Sequence, residues 1–290
     1  MPFWFWAAVT FVYGTIVGSF LNVCIWRMPH DESIVDPPSH CPKCSTRLRG
    51  VDLVPLFSFL LLGRKCRYCG EPIGWRYFTV ELITGLVGVA FYWKFHSSLA
   101  DLFVYALFGA AMIAVVFIDL EHWIIPDQLN VFGIVIGVAR DVFGLVTHES
   151  GHSLLYIPVP FTQIQAPMLW SIAGLVMCGA VFYGIAYFGE LAFKKEAMGG
   201  GDIKLAAAIG AVICGSVTSW LGLGLAMLSF FVAVFVGSVI GVGLLIASRN
   251  KKESHLLPFG PMMVAGVFVA LFYGRQMIDF YLSYLRHGGI

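Results

Sequence analysis

Runs of roughly 20 apolar residues, the length needed to cross a bilayer as a helix, recur along almost the whole chain. Where no water reaches the backbone, its polar groups must bond within the segment, so these runs are read as transmembrane helices. About eight can be placed, near residues 4 to 26, 77 to 95, 102 to 120, 126 to 146, 167 to 191, 203 to 217, 220 to 248 and 259 to 284. The sixth is short enough for a tilted or broken helix. With 59% hydrophobic and 12% charged residues, a soluble fold is excluded. A net charge of +1, gathered in a few loops, gives no basic face for nucleic acid, and none is expected as a partner; membrane lipid is. Met1 to Ala8 has no cation ahead of its apolar run and no small-residue cleavage site, so the first segment is expected to be retained as a helix.

The one long hydrophilic stretch carries Cys41-x-x-Cys44 and Cys66-x-x-Cys69, separated by 21 residues. Each pair places two thiolates on one side of a tight turn, and two such turns close a tetrahedral four-sulfur shell suited to Zn2+. The stretch has too little apolar content to build a core, so a metal staple is expected to fold it. Cys24, Cys178 and Cys214 lie in apolar runs and read as small core residues.

Lys and Arg decide the orientation. The long loop holds Arg27, Lys43, Arg47, Arg49, Arg64, Lys65, Arg67 and Arg76; Lys194, Lys195 and Lys204 follow the fifth run, and Arg249, Lys251 and Lys252 the seventh. These are fourteen of the 18 basic residues, and with eight spans all fall on one side. By the positive-inside rule that side is cytoplasmic, with both termini outside. A reducing compartment also favours zinc over disulfides. The expectation is an all-α polytopic membrane protein of about eight transmembrane helices with a small cytoplasmic zinc-binding loop domain. Its divisions are residues 1–26, a first transmembrane helix; 27–76, the zinc-binding domain; and 77–290, a multi-span catalytic domain.

The catalytic candidates are acids at membrane borders. Asp119 ends the third run, Pro126-Asp127 opens the next element, and Met198-Gly-Gly-Gly-Asp202 leads into the sixth. A carboxylate entering the membrane is costly unless paired, hydrated or functional. Two carboxyls at one face can share a proton, one activating water while the other donates to a substrate carbonyl. Plainer readings stand beside this: Asp202 and Asp127 as helix caps, and Asp119 as the mark of a span's end. The glycine run lets the backbone take conformations closed to other residues and lets another helix approach closely. It has neither the phosphate-loop ending nor the dinucleotide fingerprint.

His148-Glu149-Ser150-Gly151-His152 matches H-E-x-x-H, the pattern of zinc metalloproteases. Its context is poor. It lies in a loop expected outside, Gly151 weakens the helix the pattern requires, and no third ligand follows at metzincin spacing. A polar loop is the favoured reading, with a zinc metalloprotease using His148, Glu149 and His152 as the alternative. A non-catalytic assembly or transport protein, with ion-binding carboxylates, is a third.

Gly18-Ser-Phe-Leu-Asn22-Val-Cys-Ile-Trp-Arg27-Met-Pro29, the double Cys-x-x-Cys, Arg76-Tyr77 to Glu81-Leu82, Ile118-Asp119 through Ile125-Pro126-Asp127, Gly199-Gly-Gly-Asp202-Ile-Lys204-Leu and Pro258-Phe-Gly-Pro261 occur in a distinctive order. In that order, over nearly its whole length, the chain resembles bacterial type IV prepilin peptidases. The loop near residues 147 to 166 is longer than the family pattern leads one to expect.

The resemblance implies a GxGD-type intramembrane aspartic protease. Such enzymes cut a short basic leader from prepilins and type II secretion pseudopilins, after a glycine, at the cytoplasmic face of the inner membrane. Carried over by position, the catalytic pair is Asp119 and Asp202, with Asp127 as the substitute in the first motif. Many members also methylate the new amino terminus with S-adenosylmethionine, an activity associated with the cysteine region. Glu121, near the site, is expected to attract the leader's charges.

Overall fold

The computed structural model describes residues 2–158, 165–195, 198–247 and 258–288. The chain divides into two compact units, Met1–His122 and Trp123–Ile290. Among the described residues, seven helices are long and apolar enough to cross a membrane. They are α1 (Phe3–Arg27), α3 (Trp75–Phe95), α4 (Leu99–His122), α5 (Asp127–Val146), α6 (Trp170–Phe193), α8 (Trp220–Ala247) and α9 (Gly260–Gly288). The remaining expected span, the sixth, is α7 (Gly200–Ser216), whose 17 residues make a rod of about 25 Å at 1.5 Å per residue. The polytopic membrane architecture is thus present, with α7 as its short member. The basic group Arg249, Lys251 and Lys252 lies outside the described residues.

In the first unit α1 and α3 run antiparallel. Asn22 Nδ2 donates to the Tyr77 carbonyl at 3.1 Å, and farther along α1 a Cβ added at Gly18 would lie 2.7 Å from the Glu81 Cα. Such contacts require a residue with no side chain, which is how small residues bring membrane helices together. α4 packs on both, burying Phe108, Met112, Val115 and Ile118. Between α1 and α3 the hydrophilic stretch carries the short helix α2 (Phe57–Leu61). Phe59 of α2 is buried and packs its ring on Trp75 and Phe78 of α3.

In the second unit α7 is the central helix, with Leu205, Ala206, Ala208, Ile209, Val212 and Ile213 all fully buried. It runs parallel to α5, since Asp127 meets Lys204 near one end and Gly137 meets Ala211 farther on. It runs antiparallel to α6, where Gly174 and Gly210 meet backbone to backbone. Neighbours on several sides let a helix this short sit among longer ones. α8 and α9 pair with each other. Between α5 and α6, in the expected polar loop, strands β1 (Leu155–Pro158) and β2 (Gln165–Met168) form an antiparallel hairpin. Leu155 packs on the cluster of Trp170, Cys214 and Leu223, which ties the hairpin to the helix ends. Cys24, Cys178 and Cys214 are buried, as expected of core residues.

Candidate active site and metal centre

The four loop cysteines converge. Their sulfur atoms all lie within 4.8 Å of one another, and Cys41 Sγ is 3.9 Å from Cys69 Sγ. A tetrahedral shell with Zn–S bonds of about 2.3 Å has sulfur–sulfur edges of about 3.8 Å. The two halves are built alike. The amide of Ser45 donates to the Cys41 carbonyl at 2.8 Å, and that of Gly70 to the Cys66 carbonyl at 2.9 Å. In each, the residue after the second cysteine is left-handed, with φ 53° at Ser45 and 75° at Gly70. This curl turns both thiols of a pair inward.

The thiols also respond to one another. Hydrogen bonds from the Thr46 side chain and backbone draw Cys44 down to about 6. At Cys69 the strongest influence, a backbone hydrogen bond at Glu71, lowers the value, yet burial and the three neighbouring thiols together hold it up at about 12. Crowded thiolates resist losing the last proton unless a cation compensates their charge. The donor set therefore fits a metal ion, and among the described residues it is the one group of three or more His, Cys, Asp or Glu side chains whose ligand atoms converge in this way.

Asp119 lies in the last turn of α4 and is only 6% exposed. The residues after it turn outward, Leu120 and Glu121 being exposed. Glu121 is engaged by Arg76 of α3, whose Nη1 lies 2.6 Å from Glu121 Oε2. The Arg76 guanidinium also lies over the rings of Trp26 and Tyr77. Glu121, expected to attract basic peptide, is thus also an ion-pair partner that joins the end of α4 to α3. Sequence reasoning missed it because the partner is 45 residues away.

In the second unit Asp127 opens α5 and Asp202 sits in the first turn of α7. Asp127 is exposed, and both its oxygens accept from Lys204 Nζ, at 2.8 and 2.7 Å. Asp202 is half-buried and its amide donates to the Gly199 carbonyl at 3.1 Å, a position favoured by the helix dipole. The three glycines take no left-handed conformation; Gly199 has φ −65° and ψ 142°. Close approach is used at Gly201, where a Cβ would lie 3.2 Å from the Ile125 side chain, while Gly200 has open space. Asp119 belongs to the first unit, and Asp127 and Asp202 to the second.

The H-E-x-x-H pentapeptide has lost its helix. α5 ends at Val146, His148 is left-handed at φ 52°, and Gly151 has φ 97°. Two histidines on one helical face, which the metalloprotease pattern needs, are not formed. Glu149 instead pairs with the buried Arg140 at 2.9 Å, and the His152 ring lies against Gly144. Asp141 beside Arg140 accepts from the Ser171 amide at 2.8 Å, which anchors the start of α6. The alternative assigned to His148, Glu149 and His152 is thereby corrected to a structural clasp. Sequence reasoning passed over Arg140 and Asp141, whose only signal was their charge inside an apolar run.

Residues 12–95 match the Bacterial Peptidase A24 N-terminal domain, and residues 106–246 the Type IV leader peptidase family. The prepilin leader peptidase/N-methyltransferase of Bacillus subtilis is 31% identical over 277 residues, covering 95% of this chain and 98% of that protein. Proteins of the same name from Aeromonas hydrophila and Pseudomonas aeruginosa are each 29% identical, over 97% and 95% of this chain and 95% and 93% of their own lengths. No solved structure matches the chain.

Proposed function

The chain belongs to the type IV leader peptidase family, and on that premise we propose that it is a membrane-embedded aspartic endopeptidase that removes the leader peptides of type IV prepilins and type II secretion pseudopilins. The observation that carries the mechanism is the burial of Asp119 in the last turn of a membrane span. An acid in that setting is retained for a role. Asp119 and Asp202 act as a pair, one ionised and one protonated. The ionised carboxylate takes a proton from water, whose oxygen attacks the scissile carbonyl, while the other carboxyl donates its proton to the carbonyl oxygen. As the tetrahedral intermediate collapses, the acid formed in the first step protonates the leaving amine, the C–N bond breaks, and the other carboxylate takes back a proton from one hydroxyl of the intermediate, which restores the pair. Asp127 is the substitute in the first motif, but its bonds to Lys204 suit a clamp between α5 and α7. Incubating purified protein with a prepilin, with and without Asp119→Asn, separates enzyme from scaffold.

The border position suits the substrate. A prepilin has a basic leader in water and an apolar helix in the bilayer, so its scissile bond lies where helix ends meet solvent. The multi-pass chain resides in the bacterial inner membrane with the cysteine loop and the acids on the cytoplasmic side, the reading supported by the distribution of Lys and Arg. Residues 27–76 form the zinc-binding domain and 77–290 the peptidase domain.

Cys41, Cys44, Cys66 and Cys69 would hold a structural Zn2+, which would fold the loop and perform no chemistry on the substrate. The second activity, methylation of the new amino terminus with S-adenosylmethionine, is supported by the names of the relatives. The sequence offers no glycine-rich nucleotide loop for that donor.

A further inference from the structure

The helix α2 is apolar on both sides. Phe59 faces inward onto α3, while Phe57, Leu60 and Leu61, at the i, i+3, i+4 spacing of one helical face, are 66, 60 and 84% exposed. Val51, Leu53 and Val54 extend this outward face and are exposed too. A helix that is hydrophobic all round belongs in an apolar environment on all its sides, and protein covers only one side of this one.

Its depth supplies the other environment. The amide of Leu56, immediately before α2, donates to Glu81 Oε2 at 2.8 Å. Glu81 is six residues into α3, about 9 Å along the helix from Trp75. Its Cα lies against Gly18 of α1, and Gly18 is in turn about 13 Å along α1 from the basic end at Arg27. Both helices are long and apolar enough to cross a membrane, and the Leu56 amide is bonded to an acid more than one turn inside α3, not to its end. A charged rim completes the pattern. Arg47, Arg49 and Lys65 are exposed and belong to no ion pair among the described residues, whereas Asp52 and Glu71 are paired with Arg67 and Lys43.

We propose that residues 51–61 form a monotopic membrane anchor: Phe57, Leu60 and Leu61 enter the acyl boundary of the adjoining leaflet, and Arg47, Arg49 and Lys65 face its anionic headgroups. An apolar face with a basic rim is the usual design of elements that lie in a bilayer surface. The same rim would repel a substrate with a basic leader, so lipid and not prepilin is the occupant. The loop that holds the metal is thereby fixed against the membrane from two directions, by Glu81 within the protein and by lipid outside it. The inference needs only that α1 and α3 span the bilayer, and is independent of peptidase activity.

The test uses the full chain in nanodiscs of phosphatidylethanolamine and phosphatidylglycerol bearing an acyl-chain diazirine. After irradiation and trypsin digestion, the peptide Gly50–Arg64 contains the whole patch. Its labelling should be of the same order as that of the span peptide Tyr77–Lys94 and at least about tenfold above that of Met28–Lys43, as expected for side chains seated among acyl chains. Leu61→Glu should lower it, and replacing phosphatidylglycerol by phosphatidylcholine should lower it by about two- to fivefold through the lost attraction to the basic rim. Labelling no stronger than that of Met28–Lys43, in protein that retains its metal, overturns the proposal. So does labelling abolished by excess prepilin while the span peptide is unaffected, which would give the face to the substrate.

Discussion

Lys204 of α7 donates to both carboxylate oxygens of Asp127 of α5, joining the starts of two parallel helices. The neighbouring acid on α7, Asp202, is positioned by the same helix start. Both partners of the pair are more than half exposed, so its contribution to stability is small, about 0–1 kcal/mol. Asp127→Asn should keep more than about a tenth of the parent cleavage rate, a smaller loss than that expected of a general acid or base. If Asp127→Asn abolishes cleavage and Asp119→Asn does not, the two acids exchange roles.

Metal analysis of protein purified without chelators should find about one zinc per chain, as a closed four-thiolate site requires. A Cys41→Ser, Cys66→Ser double variant should lose the metal, and limited proteolysis should then cut within residues 27–76, because that loop has little apolar burial of its own. Absence of zinc together with full activity of the double variant contradicts this account.

Glu149→Gln should leave prepilin cleavage within a few-fold of the parent, whereas a lost general base costs about 100-fold or more. Its effect should appear in stability instead. Arg140 is buried and Glu149 is one-third exposed, so weakening their pair should cost about 1–3 kcal/mol, read as a lower Tm. Abolished cleavage with unchanged Tm would restore the metalloprotease alternative.

Gly210→Ala should destabilise the second unit by about 1–3 kcal/mol, the usual cost of overpacking a close contact, because an added methyl meets the Gly174 carbonyl. Gly184→Ala on α6 has open space and serves as the control. Equal thermal stability of the two variants would show that α6 and α7 are not held at this distance.

The spans were legible because a run of about 20 apolar residues has few other solutions, and the four-cysteine centre was legible because ligand spacing limits its geometry. Both signals are local. Contacts between distant segments were not legible. Arg76 with Glu121, Glu81 with Leu56, and Asp141 with the start of α6 each join residues far apart in sequence. A window average also dilutes one charge among apolar neighbours, which hid Arg140 and Asp141. Of the two uses read for the glycine run, the structure shows close approach, at Gly201 beside Ile125, and no left-handed backbone. The hairpin was missed because its strands are only four residues each and lack a clear alternation.

The most direct test of the catalytic assignment compares Asp119→Asn, Asp202→Asn and the double variant in cleavage of a purified prepilin. Asn keeps the shape of the side chain and removes either the base or the proton donor. Each single variant should lose at least about 100-fold, and the double variant should be little worse than either, because residues that act as one unit are not additive. If either single variant keeps more than roughly a tenth of the parent rate, that residue is outside the catalytic pair and the two-aspartate account is contradicted.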